Sequence, residues 1–210
     1  MQVFTDLDGV IIDTSRRSFE VYKNILIRHK AKHLRKDTYL NLKRKKVSVG
    51  DILAQTKAQD LLKIFEGEWL REIETEKSLA FDQLMAGALT TLKEFKTRYP
   101  LYLTTLRKKP ELLMKELTRL GIKKLFTGIL VGSTGKIRYK DKVEKIKILA
   151  KPGDVMIGDS ETDIRAGKKL GMITIAIESG WRSQTLLKKE SPDYLVRSIA
   201  NINSLPIFKS

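Results

Sequence analysis

The sequence predicts an α/β protein with a doubly wound parallel sheet that is interrupted early by a helical insertion. Along most of the chain, short apolar runs alternate with helical patterns, which is typical of a parallel sheet covered on both faces. The stretch between about Thr14 and Asp82 breaks this alternation, because it is charged, favours helices and contains no strand-like run. We therefore expect a core formed by residues 1–14 and 82–210, with residues 15–81 inserted as a helical domain.

Three apolar runs end in polar residues and are predicted to be buried strands. They are VFTDLD at the start of the chain, YLTTLR after Pro100, and DVMIGDS after Gly153. Further strands are expected at Gly128–Val131, Ile173–Ile177 and Tyr194–Val196. Ligands of open parallel sheets bind at the carboxyl ends of the strands, so the three polar clusters should meet at one edge.

Helical patterns fill the gaps between these runs. The segment Pro110–Leu120 begins with Pro and Glu and ends before a glycine, which is a sound start and stop for a helix. Similar patterns predict helices at Asp141–Leu149 and Glu161–Leu170. Within the insertion, Gln59–Glu76 has one apolar face, which we expect to pack rather than to bind a ligand. That face consists of Leu62, Phe65, Trp69 and Ile73.

Composition excludes some classes of protein and leaves others open. The chain has no cysteine, so neither disulfides nor thiolate metal sites are possible. No apolar run approaches the roughly 20 residues that span a bilayer, so a cytoplasmic protein with no membrane partner is expected. The net charge is +16, and the stretch from Arg16 to Lys46 has twelve basic residues against two acids. This basic stretch could attract a polyanion, or it could be only a solvated surface.

The first polar cluster contains two carboxylates one residue apart, Asp6 and Asp8. Side chains at i and i+2 of a strand point the same way, and two charges about 4 Å apart repel by roughly 4 kcal/mol at a dielectric near 20. A divalent cation between them relieves this repulsion, and Mg²⁺ prefers such oxygen ligands. A calcium loop would need further acids, but Val10 and two isoleucines follow. The pattern therefore favours a magnesium site, with a solvated turn as the alternative.

The other two clusters could complete such a site. Asp159 and Asp163 follow the third strand and could bind the same cation, although alone they would pass as a helix N-terminus. Thr104 and Thr105 end the second strand, where a hydroxyl and backbone N–H groups could hold phosphate oxygens.

A lysine could neutralise a phosphate and a carboxylate nucleophile at the same edge. Lys142, near the start of the helix before the third strand, is the candidate, and Lys140 is its rival.

The order DLDGV, TTLR, a lysine and GDSETD resembles that of the haloacid dehalogenase-like superfamily of hydrolases. The resemblance implies a Rossmann-like core and covers almost the whole chain. It makes Asp6 the nucleophile and Asp8 the general acid/base. Thr105, rather than Thr104, would be the phosphate-binding hydroxyl.

The same resemblance assigns the remaining residues. Lys142 fits the lysine motif best, because Ile146 then falls where such helices bury an apolar residue. Asp159 and Asp163 match the acidic metal-binding motif, which with Asp6 and Asp8 makes four candidate Mg²⁺ ligands. The insertion resembles the C1-type helical cap of phosphoglycolate phosphatase-like and β-phosphoglucomutase-like members, which would make it a lid.

Asp8 favours one chemistry among those of the superfamily. The dehalogenases lack an aspartate at this position and the transport ATPases carry threonine there, whereas an acid that protonates a leaving oxygen suits a phosphate ester. We therefore expect a magnesium-dependent phosphatase that hydrolyses a small phosphate monoester through an aspartyl-phosphate intermediate. A phosphomutase of the β-phosphoglucomutase type is the alternative, since it would use the same core residues.

Two other classes are less favoured. A nucleic-acid-binding protein would use the basic insertion, but few aromatic residues are interleaved with its charges. A P-loop protein would rest on GSTGK at residues 132–136, where the spacing is too short and Ile137 stands in place of Ser or Thr.

Overall fold

The computed structural model describes residues 1–132 and 138–209. The chain forms two compact units. The α/β unit comprises Met1–Asp13 and Gln83–Ser210, and the helical unit comprises Thr14–Asp82. Most of the GSTGK segment lies outside the described residues. Among the residues that are described, no helix is both long and apolar enough to cross a membrane.

The elements alternate as the sequence predicts outside the helical unit. The strands are β1 (Val3–Thr5), β2 (Ile12–Asp13), β3 (Gln83–Leu84), β4 (Leu101–Thr105), β5 (Gly128–Val131), β6 (Val155–Gly158), β7 (Ile173–Ile177) and β8 (Tyr194–Val196). The helices are α1 (Ser15–Arg28), α2 (Lys36–Arg44), α3 (Val49–Ala54), α4 (Leu62–Glu72), α5 (Glu76–Leu79), α6 (Ala88–Arg98), α7 (Pro110–Arg119), α8 (Arg138–Ile146), α9 (Glu161–Lys169) and α10 (Gln184–Lys189). Short 3₁₀ turns lie at Gln59–Leu61, Lys123–Leu125, Ile199–Ser204 and Pro206–Phe208.

Six of the strands form one parallel sheet in the order β5-β4-β1-β6-β7-β8, which confirms the predicted fold class. The first strand therefore lies at the centre, with β4 on one side and β6 on the other. These three neighbours are the strands whose carboxyl ends carry the polar clusters. The topology thus brings residues that are more than 150 positions apart in sequence, such as Asp6 and Asp163, to a single edge.

Both faces of the sheet are buried, because successive side chains of a strand point to opposite faces. On β1, Val3 belongs to the hydrophobic cluster that includes α6 and α7, through residues such as Phe95 and Leu117. The next residue, Phe4, belongs to a second cluster that includes Ile146 of α8. The predicted two-sided covering of the sheet is therefore confirmed.

The insertion begins and ends at a small two-stranded sheet. Strands β2 and β3 pair antiparallel, with Ile12 opposite Leu84, and they belong to the α/β unit. The helical unit has a separate core that includes buried Phe19, Tyr22 and Phe65. The predicted apolar face, Leu62, Phe65, Trp69 and Ile73, packs within this core. That the helical unit acts as a lid stays a prediction.

Two helices differ from the sequence prediction. The segment Gln59–Glu76 is divided into a 3₁₀ turn, α4 and the start of α5, because Thr75 caps a new helix by accepting a hydrogen bond from the Ser78 N–H at 3.3 Å. Helix α8 begins at Arg138 and ends at Ile146, three residues earlier at each end than the pattern indicated.

Candidate active site

The site lies at the carboxyl ends of β4, β1 and β6. Strand β1 ends at Thr5, and the chain then turns through Asp6 to Gly9, which has a φ of +85°. This early end corrects the expected geometry, because the alternation of side chains in a strand no longer applies to Asp6 and Asp8. Their carboxylates have different partners.

Three carboxylates converge at this edge. Asp6, Asp159 and Asp163 each offer an oxygen, and these oxygens lie within 4.8 Å of one another. Asp159 and Asp163 are buried, whereas the Asp6 side chain retains 15% exposure. We call these three residues the acidic cluster. Asp8, the fourth predicted metal ligand, lies outside it.

One lysine binds two members of the acidic cluster. Lys142 is 1% exposed, and its Nζ donates to Asp6 Oδ1 at 2.7 Å and to Asp163 Oδ1. Its rival Lys140 is exposed. The structure therefore brings the predicted lysine, and not its neighbour, to the predicted nucleophile.

The electrostatics of this cluster differ from those of surface carboxylates. Burial raises the pKa of Asp6 to about 7, with further increases from the charges of Asp163 and Asp8, although Lys142 acts in the opposite direction. Burial, together with Asp6 and Asp163, also raises the pKa of Asp159 well above its usual value. Burial alone would lower the pKa of Lys142, but Asp163 and Asp6 outweigh it and raise that pKa.

Asp163 also serves the start of α9. Its Oδ2 accepts hydrogen bonds from the Ser160 backbone N–H at 3.1 Å and from the Ser160 hydroxyl at 2.6 Å. Together these two residues form a capping box. Asp163 therefore also has the helix-capping role that its position in the sequence allows. The cap fixes Oδ2 and leaves Oδ1 directed at Lys142.

Asp159 lies in a cradle that only glycine can form. A Cβ added at Gly9 or at Gly180 would lie 2.1 Å from Asp159 Oδ2, and one added at Gly158 would lie 2.0 Å from Asp163 Cβ. The Trp181 backbone N–H donates to Asp159 Oδ2 at 2.5 Å. Backbone thus approaches the acidic cluster closely from the turns after β1 and β7.

Asp8 pairs with an arginine from the end of β4. Arg107 Nε donates to Asp8 Oδ2 at 2.8 Å, and Nη2 donates to Asp8 Oδ1 at 2.6 Å. The same guanidinium donates through Nη1 to Glu116 of α7 at 3.0 Å. Both Arg107 and Glu116 are buried, whereas Asp8 is 28% exposed. Asp8 is therefore oriented by a bidentate contact.

The predicted phosphate-binding threonine ends the strand that pairs with β1. Thr105 is the last residue of β4, and its hydroxyl accepts a hydrogen bond from the Arg107 backbone N–H at 3.4 Å. Thr104 is buried as well. Its role and that of Thr105 as phosphate ligands stay predictions.

Sequence reasoning missed several residues of the site. Arg107 stands visibly in TTLR, yet only the fold reveals its contact with Asp8. Glu116 gave no signal, because an acid on a charged amphipathic helix is ordinary. The loop with Gly180 and Trp181 also gave none, since its contact with Asp159 is made by backbone.

The donor set fits a hard divalent cation. Among the residues that the structure describes, Lys142 donates to two of the three carboxylates, so the cluster keeps a negative balance, and burial, the main cause of the raised pKa values of Asp6 and Asp159, makes this negative charge costly. Oxygen ligands of this kind suit Mg²⁺. The glycine cradle would keep side chains out of the space around Asp159.

Comparison with known proteins places this geometry in a family. The family model of the haloacid dehalogenase-like hydrolases matches the sequence over residues 3–177. No curated protein matches the sequence. The solved structures that resemble this chain include a haloacid dehalogenase-like hydrolase from Streptococcus pneumoniae, with 21% identity, a TM-score of 0.80 and coverage of 97% of this chain and 96% of that one.

Two further structures are similar over almost their whole lengths. One, described as a predicted phosphoglycolate phosphatase from Haemophilus somnus, has 19% identity, a TM-score of 0.74 and coverage of 97% and 96%. The other, assigned as a beta-phosphoglucomutase from Thermotoga maritima, has 19% identity, a TM-score of 0.70 and coverage of 97% of both chains. These likenesses show the fold.

The chain belongs to the haloacid dehalogenase-like hydrolases. It is therefore an enzyme of the hydrolase class, as the four motifs predict. Which bond it cleaves depends on the residues of its own site.

Proposed function

We propose that this protein is a magnesium-dependent phosphatase that hydrolyses a small phosphate monoester through an aspartyl-phosphate intermediate. The observation that carries the proposal is the placing of the Asp6 carboxylate against Lys142 and within the acidic cluster, at the end of the central strand. A buried carboxylate with a raised pKa, a lysine and two further acids would be costly to maintain for stability alone. The phosphatase description of a similar structure supports the same reaction.

In the first step, Asp6 attacks the phosphorus of the substrate. Lys142 holds Asp6 Oδ1, so we assign the attack to Oδ2. An Asp6–phosphorus bond forms while the bond between phosphorus and the ester oxygen breaks, and Asp8 gives its proton to the leaving alcohol. In the second step Asp8 takes a proton from a water molecule, the oxygen of that water bonds to phosphorus as the Asp6–phosphorus bond breaks, and inorganic phosphate leaves with the Asp6 carboxylate restored.

The remaining residues would bind and orient. Thr105, at the end of β4, would hold a phosphate oxygen, and Lys142 would neutralise charge as it builds up. Asp6, Asp159 and Asp163 would hold Mg²⁺, which would supply positive charge to the phosphoryl oxygens. If Asp8 also bound Mg²⁺, as predicted, it would have to do so while its carboxylate keeps the hydrogen bonds from Arg107.

Replacing the nucleophile tests the proposal. Wild-type protein should hydrolyse p-nitrophenyl phosphate with Mg²⁺ and lose this activity in EDTA, and Asp6→Asn should have no measurable turnover. Asp13→Asn, which changes an exposed aspartate seven residues away, is the matched control and should keep wild-type activity. Substantial activity of pure Asp6→Asn protein would overturn the assignment. Acid quenching of wild-type protein during turnover should reveal a mass increase of one phosphoryl group, absent from Asp6→Asn.

The phosphomutase alternative is supported by the similar structure assigned as a beta-phosphoglucomutase. The two reactions share the first step and differ in what accepts the phosphoryl group. A phosphatase incubated with a hexose 1-phosphate releases inorganic phosphate, whereas a mutase yields an isomeric sugar phosphate. Measuring both products in the same sample distinguishes the two reactions.

A further inference from the structure

The loop between β7 and α10, residues 178–183, reaches the edge of the sheet where the acidic cluster lies. Strand β7 pairs in parallel with β6, so both strands end at that edge. Trp181 is in this β7–α10 loop, and its backbone N–H donates to Asp159 Oδ2 at 2.5 Å. The loop therefore supplies a backbone donor to one of the three acids. Such a donor is placed only as well as the loop that carries it is held.

One arginine of this loop bonds both to the loop itself and to a helix of the site. Arg182 Nε donates to Glu161 Oε2 at 2.7 Å, and Nη2 donates to Glu161 Oε1 at 3.3 Å. Its Nη1 donates to the carbonyl oxygen of Trp181 at 3.1 Å. Because the guanidinium is a rigid planar fork, these contacts fix the loop at the residue whose N–H bonds to Asp159.

Glu161, the partner of this arginine, belongs to the segment that carries the acids. It is the first residue of α9 and lies between Asp159 and Asp163 in the sequence. Ser160 and Asp163 form the capping box of the same helix. The side chains of Glu161 and Arg182 are 17% and 20% exposed, so the pair is largely shielded from solvent. Arg182 thus joins the β7–α10 loop to the segment that contains two members of the acidic cluster.

The close fit around Asp159 makes the position of the loop important. A Cβ added at Gly180 would lie 2.1 Å from Asp159 Oδ2, and one added at Gly9 would lie at the same distance. Backbone from two turns therefore encloses this carboxylate oxygen. If the loop moved away by about 1 Å, the hydrogen bond from Trp181 would leave the normal range of distances, and the carboxylate would lose its orientation.

The position of Arg182 and its charge have opposite consequences for a bound cation. Arg182 is close enough to interact with the charge of Asp159, so as a positive charge it would weaken the binding of Mg²⁺ there. As the residue that holds the donor to Asp159, it would strengthen binding, because partners that orient a metal ligand raise the affinity for the metal. The sign of the change on removing Arg182 therefore distinguishes the two effects.

We propose that Arg182 is a positioning residue for the metal site, which holds the Asp159 carboxylate in place for Mg²⁺ through the backbone of Trp181. The inference rests on the proposed function. It adds that the β7–α10 loop, joined to Glu161, determines how tightly the cation binds.

Magnesium titrations without substrate test the proposal. Trp69→Phe leaves Trp181 as the only tryptophan, and the Trp181 ring lies against the turn after β1, since a Cβ added at Gly9 would lie 3.0 Å from its Cδ1. The emission of Trp181 should therefore change on Mg²⁺ binding, and calorimetry on protein that keeps Trp69 gives the Kd independently. Arg182→Met should raise the Kd for Mg²⁺ about tenfold.

A second variant and a matched control accompany this measurement. Arg182→Ala also removes all three contacts and should weaken Mg²⁺ binding in the same way, so one folded variant suffices. Arg165 of α9 likewise bonds through two nitrogens to a glutamate, Glu190, at 2.7 and 2.5 Å, but that pair includes no residue of the β7–α10 loop. Arg165→Met should bind Mg²⁺ as wild type does. A folded Arg182 variant with a Kd equal to or below that of wild type would overturn the proposal.

The order of the loop in metal-free protein is a readout that neither Mg²⁺ nor turnover affects. In EDTA and in the Trp69→Phe background, acrylamide should quench Trp181 more strongly after Arg182→Met, because a loosened loop exposes the ring. Equal quenching would show that the loop is held without Arg182 and would contradict the proposal.

The two proposals fail in different ways. Wild-type protein that does not bind Mg²⁺ would contradict the proposed function and this inference together. Wild-type protein that binds Mg²⁺ and hydrolyses a phosphate ester, beside Arg182 variants with unchanged Mg²⁺ affinity, would contradict this inference alone.

Discussion

The two units of this protein bury charge to different extents. The α/β unit buries it, since Lys142 is 1% exposed and Arg107 is 4% exposed, and both lie between acids. The helical unit keeps most of its charge at the surface, where Arg28 is 45% exposed and bonds to Glu68 and Glu72. Its hydrophobic core consists of aromatic and aliphatic side chains, and it also buries the pair formed by Arg17 and Asp82, whose side chains lie 3.4 Å apart.

This difference indicates where each unit is constrained by function. Removing charges from water costs several kcal/mol for each ion, and the cost is offset only by well-placed partners. Burial with raised pKa values at Asp6 and Asp159 is what the proposed chemistry requires and what stability alone does not favour. Exposed ion pairs contribute little, about 0–1 kcal/mol, so the exposed charges of the helical unit can serve solubility or association.

The largest expected effect comes from removing the buried lysine. Lys142→Met would leave Asp6 and Asp163 without their shared cation in a buried site, and should lower the free energy of unfolding by about 3–5 kcal/mol. It should also reduce kcat/KM by at least about 10²-fold. Urea unfolding and phosphatase assays measure the two effects. Lys140→Met, on the same helix but exposed, should change neither, and equal behaviour of the two variants would refute the role of Lys142.

Removing the arginine that holds Asp8 should lower both activity and stability, because it also leaves the buried Glu116 carboxylate without its hydrogen bond from Arg107. Arg107→Met abolishes the bidentate contact, and a misplaced acid/base should lower kcat/KM by about 10²-fold. The control is Arg119→Met, which changes an arginine 45% exposed that lies 3.9 Å from the same Glu116. If both variants kept wild-type kcat/KM with a phosphate ester, orientation of Asp8 by Arg107 would be irrelevant to catalysis.

Metal removal should make the stability of the protein depend on pH. Without a divalent cation the pKa of Asp6 is raised to about 7, so the folded state binds a proton more tightly than the unfolded state does. The stability that this proton contributes is fully present below the usual pKa of 3.8 and is lost as the pH rises through about 7. We expect the midpoint temperature of thermal unfolding in EDTA to decrease as the pH is raised from 5 to 8. The decrease should be larger in wild-type protein than in Asp6→Asn protein. Excess Mg²⁺ should reduce the fall, and an identical profile for Asp6→Asn protein would contradict the pKa assignment.

The smallest effects belong to the helical unit. Tyr39→Phe removes the hydrogen bond to Ser18 but keeps the ring, so it should cost about 1 kcal/mol of unfolding free energy. Lys45→Gln, at an exposed position, should stay within about 0.5 kcal/mol of wild type. Denaturant titrations of both variants would measure the contrast. A loss of several kcal/mol in Lys45→Gln would show that the surface charges of this unit are structural.

Local sequence patterns predicted much of the fold, because strand and helix signals are short-range. All six strands of the parallel sheet were expected, and the edge at which Asp6, Asp159 and Asp163 meet followed from their positions at strand ends. The end of β1 at Thr5 was not expected, since apolar residues continue at Leu7 and Val10 through the turn that follows. The pairing of Asp8 with Arg107 and Glu116 depends on where α7 packs, which no local pattern reports.

The sequence by itself determined the fold class, the family motifs and the identity of the acids, because these depend on periodicity and on residue type at short spacing. Tertiary structure decided which lysine reaches Asp6, how Asp8 is held, and that glycines cradle Asp159. It also decided that Arg182 joins the loop after β7 to the first residue of α9. Each of these depends on distances between segments far apart in the chain, and such distances are fixed only when helices and strands pack together.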